Sequence, residues 1–204
     1  MTVTRIEAVT KAKYKVYIDG QFVFVLYKGE LSRYRLAEGS LIEEEVYHKI
    51  LTEVILKRAK RRALHLLNDM GRTEEQLKTR LRRDLYPEDV IDETMAYVKS
   101  FGYINDAAFA QYFVETRRGK KSRKEIYAQM CRKGLKSEDI EAAFEECYGS
   151  GDAREAIEAI LRKKKYDPEE ARWEDTRKIL GYLTRKGFGY EDIRQVIQVS
   201  EWNA

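Results

Sequence analysis

Residues that break regular structure are scarce in this chain. It holds 12 glycines and 2 prolines in 204 residues, where a combined share of about 12% is usual. That shortage excludes collagen, a proline-rich linker and a turn-dense β-sandwich. Cysteine is nearly absent as well: Cys131 and Cys147 cannot build a disulfide framework, so a reduced, cytoplasmic protein is expected. No apolar run approaches the ~18 residues that span a bilayer. Residues 1–20 lack the continuous apolar segment of a secretory leader, and no membrane partner is expected. His48 and His65 are the only histidines, and no two of the histidines and cysteines share metal-ligand spacing, so no metal is expected. Glycine-rich phosphate loops, His-Glu-x-x-His and Gly-x-Ser-x-Gly are all missing. The run Glu43-Glu44-Glu45 is accounted for by a helix start, where carboxylates suit the dipole. No cofactor and no catalytic residue is expected, and the reading is of a protein that is not an enzyme.

Charge is what the chain has in plenty: 36% of residues are charged, with a net charge of +4. Residues 1–56 are balanced, with 8 basic and 8 acidic side chains, while 57–204 carry 31 against 27. The cations cluster. Lys57, Arg58, Lys60, Arg61 and Arg62 form one group; Arg117, Arg118, Lys120, Lys121, Arg123 and Lys124 form a second, around Gly119; Arg162, Lys163, Lys164 and Lys165 form a third. Arg80, Arg82 and Arg83, and Arg132 with Lys133, sit where helices are expected to end. Each group reads plainly as a solvated face or a helix C-terminus, and alternatively as a contact for a polyanion or an acidic protein surface. The second is the strongest candidate, because it lies partly in a loop and is not neutralised within itself. Tyr103, Tyr112 and Tyr127 lie near it in sequence, either as base-stacking rings or as partly buried packing.

The chain repeats itself. Arg82-Arg83-Asp84-Leu85-Tyr86-Pro87-Glu88-Asp89-Val90 aligns without gaps with the nine residues from Arg132 to Ile140 and the nine from Arg185 to Ile193. This reads as a joint between two helices. Basic residues suit the last turn, Gly134 and Gly187 suit the left-handed position beyond it with Asp84 as their substitute, and Ser137 or Pro87 opens the next helix. Capping boxes are expected at Ser40, Thr73 and Ser122, with an Asp version at Asp167. The expected helices are 42–70, 73–83, 87–101, 106–118, 122–133, 137–148, 152–165, 168–186 and 190–200, the helix 168–186 about two turns longer than its counterparts. Leu77 and Leu81, or Ile126 and Met130, keep the helical period. Ahead of them Arg5–Val9, Tyr14–Ile18 and Phe22–Tyr27 read as antiparallel strands around an Asp19-Gly20 turn. The fold class is therefore mainly α: tandem three-helix repeats in an elongated, curved array with a small N-terminal β-hairpin or sheet. The expected domains are 1–41, 42–104, 105–149 and 150–204.

Gly102-Tyr103-Ile104-Asn105-Asp106, then Phe109-Ala110, Tyr112 and Arg117, resembles the signature of the RecX family of recombination regulators, with Asn105 where the family has Asp. Ile126, Met130, Lys133, Gly134 and Leu135 are similar to a second family feature, and Arg72–Leu77 with Leu81 to a third. The resemblance covers about residues 60–200. It implies a non-enzymatic modulator of the RecA recombinase, in recombination, DNA repair and SOS control, that binds the RecA–DNA filament and typically inhibits its ATPase and strand exchange. It also implies possible partners in single- or double-stranded DNA, and a monomer is expected. The contact candidates for the filament or DNA are Arg61, Arg62, Arg80, Arg82, Arg83, Arg117, Arg118, Lys120, Lys121, Arg123, Lys124, Arg132, Lys133, Lys163 and Lys164. The competing reading is a DNA-binding module that acts without RecA.

Overall fold

The computed structural model describes residues 1–69, 71–167 and 170–197. They form two compact units, 1–105 and 106–204. The first opens with a three-stranded antiparallel sheet in the order β1 (Val3–Ala8), β2 (Lys13–Ile18), β3 (Gln21–Tyr27). Asp19 and Gly20 both have positive φ, 48° and 84°, as a two-residue hairpin turn of matching twist requires. Alternation then decides the faces. Val16, Ile18, Phe24 and Leu26 are buried, while Lys13 and Tyr27 face outward; a bulge opposite Val16–Tyr17 breaks the alternation and turns Phe22 outward as well.

The chain continues into a short helix, α1 (Lys28–Arg33), which the apolar pattern did not announce. Its Glu30 carboxylate caps the helix locally by accepting from the Tyr27 amide at 2.7 Å and makes a tertiary pair with Arg58. The expected capping box at Ser40 does not form. Ser40 bonds back to Ala37, residue Ile42 donates to the Met1 carbonyl, and Glu43 becomes the N-cap of α2 (Glu44–Ile50). A bridge between Thr2 and Leu41 holds this segment extended, which delays the helix.

Helical backbone then runs through a π-helical segment, Leu51–Leu56, into α3 (Lys57–Asp69). Ile50 and Ile55 are both buried and five residues apart, and the wider π turn puts that spacing on one side. Ile50, Ile55, Leu56 and Ala59 pack on the sheet. Ala63 and Leu66 pack instead on α4 (Glu74–Arg83) and α5 (Glu88–Ser100). Helix α5 serves both cores: Val90 joins the sheet cluster, and Ile91, Met95 and Val98 join the other.

The second unit holds two helical triplets. α6 (Asp106–Glu115), α7 (Arg123–Cys131) and α8 (Ser137–Cys147) enclose Phe113, Ile126, Met130 and Phe144. α9 (Asp152–Lys164), α10 (Trp173–Arg185) and α11 (Tyr190–Ile197) enclose Ile157, Leu183 and Ile193. Helix α10 begins at Trp173, later than expected, so it exceeds α4 and α7 by about one turn, not two. The Asp167 capping box and the ends expected at 70 and 200 involve residues outside those described. Ser137 is the first residue of α8, its N-cap being Lys136.

The structure also corrects the register of the repeat. The joint is closed by an amide reaching back five residues: Tyr86 to the Leu81 carbonyl, Leu135 to Met130 and Phe188 to Leu183, at 3.2, 3.3 and 3.2 Å. The left-handed residues are therefore Leu85, Gly134 and Gly187, with φ of 65°, 80° and 86°. Asp84 has φ of −81° and is not the counterpart of the glycines. Counted from this joint, Leu77, Ile126 and Ile179 correspond, as do Ile91, Ile140 and Ile193, and all six are buried. The ungapped alignment was one residue early in the first repeat because α5 carries adjacent apolar faces, Val90 and Ile91. A leucine in the left-handed region costs roughly 1–2 kcal/mol, which glycine avoids in the other two repeats.

The second and third triplets meet at the Gly187 joint. Ser122 caps α7 by accepting from the Glu125 amide at 3.1 Å and donates to the Lys186 carbonyl at 2.5 Å. A Cβ on Gly187 would lie 2.9 Å from Lys124 Cβ and 3.1 Å from Ser122 Oγ. Gly187→Ala is expected to destabilise by about 2–4 kcal/mol, from the left-handed backbone and the clash together. Gly29 sits in α1 with open space at its Cβ, and Gly29→Ala is expected to stabilise by about 0.5–1 kcal/mol. Thermal denaturation of the two variants beside the parent checks both signs.

Candidate functional site

The basic side chains divide into those held by an acidic or carbonyl partner and those with none among the described residues. On α3, the Arg62 Nε donates to Asp84 at 2.8 Å. Arg58 donates to the Val25 carbonyl at 3.1 Å and pairs with Glu30. Arg61 is exposed and makes no ion pair with a described residue. At the end of α4, Arg82 is gripped by Glu75 at 3.1 Å and Glu88 at 2.8 Å, and Arg80 lies 3.7 Å from Asp84. Arg83 is exposed and unpaired among the described residues. Arg61, Arg62 and Arg83 are thereby brought together around one cleft of about 730 Å³ between β3, α3 and the α4–α5 joint. Lys13 and Arg58 also line it. Sequence reasoning missed Lys13, since nothing local places the hairpin beside α3.

The loop between α6 and α7 is less free than its sequence suggests. The Arg117 guanidinium lies 3.5 Å from the Phe113 ring centre and donates to Thr116 Oγ1 at 2.8 Å. Arg118 donates to the Cys147 carbonyl at 2.9 Å. Lys121 pairs with Glu125 and Arg123 with Glu141, both at 2.6 Å. Lys120 reaches only the Thr116 carbonyl, at 3.3 Å, and Lys124 is exposed with no ion pair among the described residues. The fold also brings Lys133 to the Phe113 ring, at 5.6 Å, so that it and Arg117 share one aromatic side chain across sixteen residues of sequence. Arg132 and Lys163 are exposed, and Lys164 sits 4.1 Å from the Tyr182 ring.

The three tyrosines separate in the same way. Tyr127 stacks on Phe144 at 6.4 Å within the α6–α8 core, the packing role. Tyr103 and Tyr112 are 54% and 66% exposed, and Phe101, which stacks on Tyr103 at 5.8 Å, is 59% exposed. Among the described residues no group of three or more His, Cys, Asp or Glu could hold a metal ion, and no helix is long and apolar enough to cross a membrane. Cys131 is exposed; Cys147 is buried, and burial pushes its thiol up.

Two phenols are strongly perturbed. Burial pushes Tyr86, at the cleft, up to about 12, with Arg58 opposing and Asp84 assisting. Burial and then Asp152 push Tyr148 up to about 12. Both folded values exceed the ordinary 10.0. Their contribution to stability is therefore complete below pH 10 and is lost as pH rises from there through 12. Absorbance titration at 295 nm is expected to show a late phenolate phase, and Tyr148→Phe is expected to shrink it by the amplitude of one tyrosine.

Comparison with known proteins matches three family models in tandem: the first three-helix domain of RecX over residues 59–97, the second over 105–143 and the third over 152–197. The regulatory protein RecX of Caldanaerobacter subterraneus subsp. tengcongensis is 31% identical over 202 residues, covering 98% of this chain and all of that one. The regulatory protein RecX of Clostridioides difficile is 29% identical, covering 89% and 86%. A crystal structure of a regulatory protein RecX superposes with a TM-score of 0.63 at 24% identity, covering 98% of this chain and 99% of the other. That of RecX from Lactobacillus salivarius gives 0.58 at 24%, covering 70% and 94%. At that identity the two structures establish the fold.

Proposed function

From the premise that the chain belongs to the RecX family, we propose that it is a regulator without enzymatic activity that binds the RecA recombinase–DNA filament. In this reading it lowers the filament's ATP turnover, strand exchange and growth, acting in the cytoplasm in recombination, DNA repair and SOS control. The observation that carries the proposal is the run of three matched helical domains within one chain whose relatives are named regulatory proteins.

The physical route is multivalency. Three repeats present three separate surfaces, and a helical polymer presents the same protomer many times. Weak contacts joined in one chain add, because each later contact forms at high effective concentration. Such a ligand changes ATP turnover only by binding one filament state more tightly than another. Exposed cations with no ion pair among the described residues, such as Lys124, Arg132 and Lys163, supply the adaptable part of the contact, to phosphates or to acidic protomer surfaces.

RecA ATPase on single-stranded DNA is expected to fall on addition of substoichiometric amounts of this protein. Unchanged turnover together with no co-sedimentation on filaments overturns the proposal. Replacing Lys120, Lys124 and Arg132 by Ala is expected to weaken filament binding on the order of tenfold, at ~0.2–1 kcal/mol for each exposed contact. Circular dichroism is expected to be unchanged, since none of the three is held by an acidic partner among the described residues. The exposed Phe101 and Tyr103 rings favour a second reading, direct binding of single-stranded DNA. A steep salt dependence of oligonucleotide affinity without RecA distinguishes it.

A further inference from the structure

The cleft in the first unit is built differently from the rest of the basic surface. Five cationic side chains line it: Lys13, Arg58, Arg61, Arg62 and Arg83. Among the described residues Asp84 is the one carboxylate in its lining, and it already serves Arg62 and Arg80. Glu30 serves Arg58. Lys13, Arg61 and Arg83 therefore have no carboxylate partner among the described residues around a single concavity of about 730 Å³, Lys13 lying 5.5 Å from the Tyr27 ring centre. Its floor is apolar, formed by Val25, Ile55, Leu85 and Tyr86 among others.

Leu85 is the second, independent sign. Its counterparts in the other two repeats are Gly134 and Gly187, which adopt the left-handed conformation without penalty. The first repeat keeps a leucine there in spite of the strain, and that leucine lines the cleft. Arg35 and Lys165 close helices in the same left-handed conformation, so what sets Leu85 apart is that its apolar side chain lines the cleft.

The chemistry of the walls selects the ligand. A rim of unpaired cations asks for carboxylates or phosphates; an apolar floor asks for an aliphatic or aromatic side chain between them. A duplex backbone offers no such anchor. A single-stranded base needs an open ring face, and Tyr27, the exposed ring in the wall, already has Arg58 at 4.7 Å and Lys13 at 5.5 Å from its centre. Strand addition along β3 is blocked where the Arg58 guanidinium takes the Val25 carbonyl. We propose that this cleft binds an acidic peptide segment of a protein partner, with an apolar side chain seated on the Ile55–Leu85 floor and flanking carboxylates on Lys13, Arg61 and Arg83. The inference stands on the first unit alone and does not depend on the filament reading.

The test uses the full chain and a fluorescein-labelled eight-residue peptide of six acidic residues around a Phe-Leu pair, followed by anisotropy. The parent is expected to bind it, and to bind at least tenfold more weakly a peptide of equal charge in which Phe-Leu is Gly-Ser. Arg61→Ala with Arg83→Ala, both exposed and without an ion pair among the described residues, is expected to cut affinity about tenfold with no loss of thermal stability. Leu85→Gly is expected to weaken binding similarly while relieving the backbone, so its melting temperature holds. No binding by the parent overturns the proposal. Equal binding of the Gly-Ser peptide or of a deoxythymidine oligonucleotide also overturns it, as do unaltered affinities in both variants. Because RecA is absent from the assay, a failure here leaves the ATPase result standing, and the reverse holds.

Discussion

Each helical triplet of this molecule turns on one backbone event at the end of its middle helix. A middle helix stops, one residue swings to positive φ, and the next amide returns to a carbonyl five residues behind. That hydrogen bond folds the large apolar side chain of Tyr86, Leu135 or Phe188 over the helix end and fixes where the third helix begins. The buried ladder of each triplet follows from it: Leu77 with Leu81 and Ile91, Ile126 with Met130 and Ile140, Ile179 with Leu183 and Ile193. None of the three cores is large, so each leans on the turn that aligns its helices.

The repeat, the sheet and most helix starts were legible in the sequence because each depends on local chemistry. Thr73 closes its reciprocal box with Gln76, Ser122 caps α7, and Asp19-Gly20 makes the hairpin turn as their side chains and φ preferences dictate. The reading failed where a distant contact competes. Ser40 looked like a cap, but pairing of Thr2 with Leu41 holds its segment extended. The repeat was misregistered by one residue because Val90 answers to the sheet and Ile91 to the repeat, and a linear pattern does not say which apolar residue faces which neighbour.

The candidate site was legible only in part, for the same reason. The composition of the 117–124 loop announces charge, but Glu141 and the Cys147 carbonyl arrive from α8 and occupy Arg123 and Arg118. Conversely, the cleft of the first unit draws Lys13 from a strand, Arg58 and Arg61 from a helix and Arg83 from a joint. Isolated positions of this kind have no spacing to betray them. Composition identified the kind of surface, and the fold decided which cations are spent on internal partners.

The π-helical segment between α2 and α3 has a structural consequence of its own. Successive residues of an α-helix advance by about 100° around its axis, so the one surplus residue in Leu51–Leu56 works as a phase adjuster. It lets a single rod present Ile50 and Ile55 to the sheet and still deliver Ala63 and Leu66 to the first triplet. Removing any one residue there would rewind the rod and rotate everything downstream by that angle, uncoupling the N-terminal module from the helices it is packed to support.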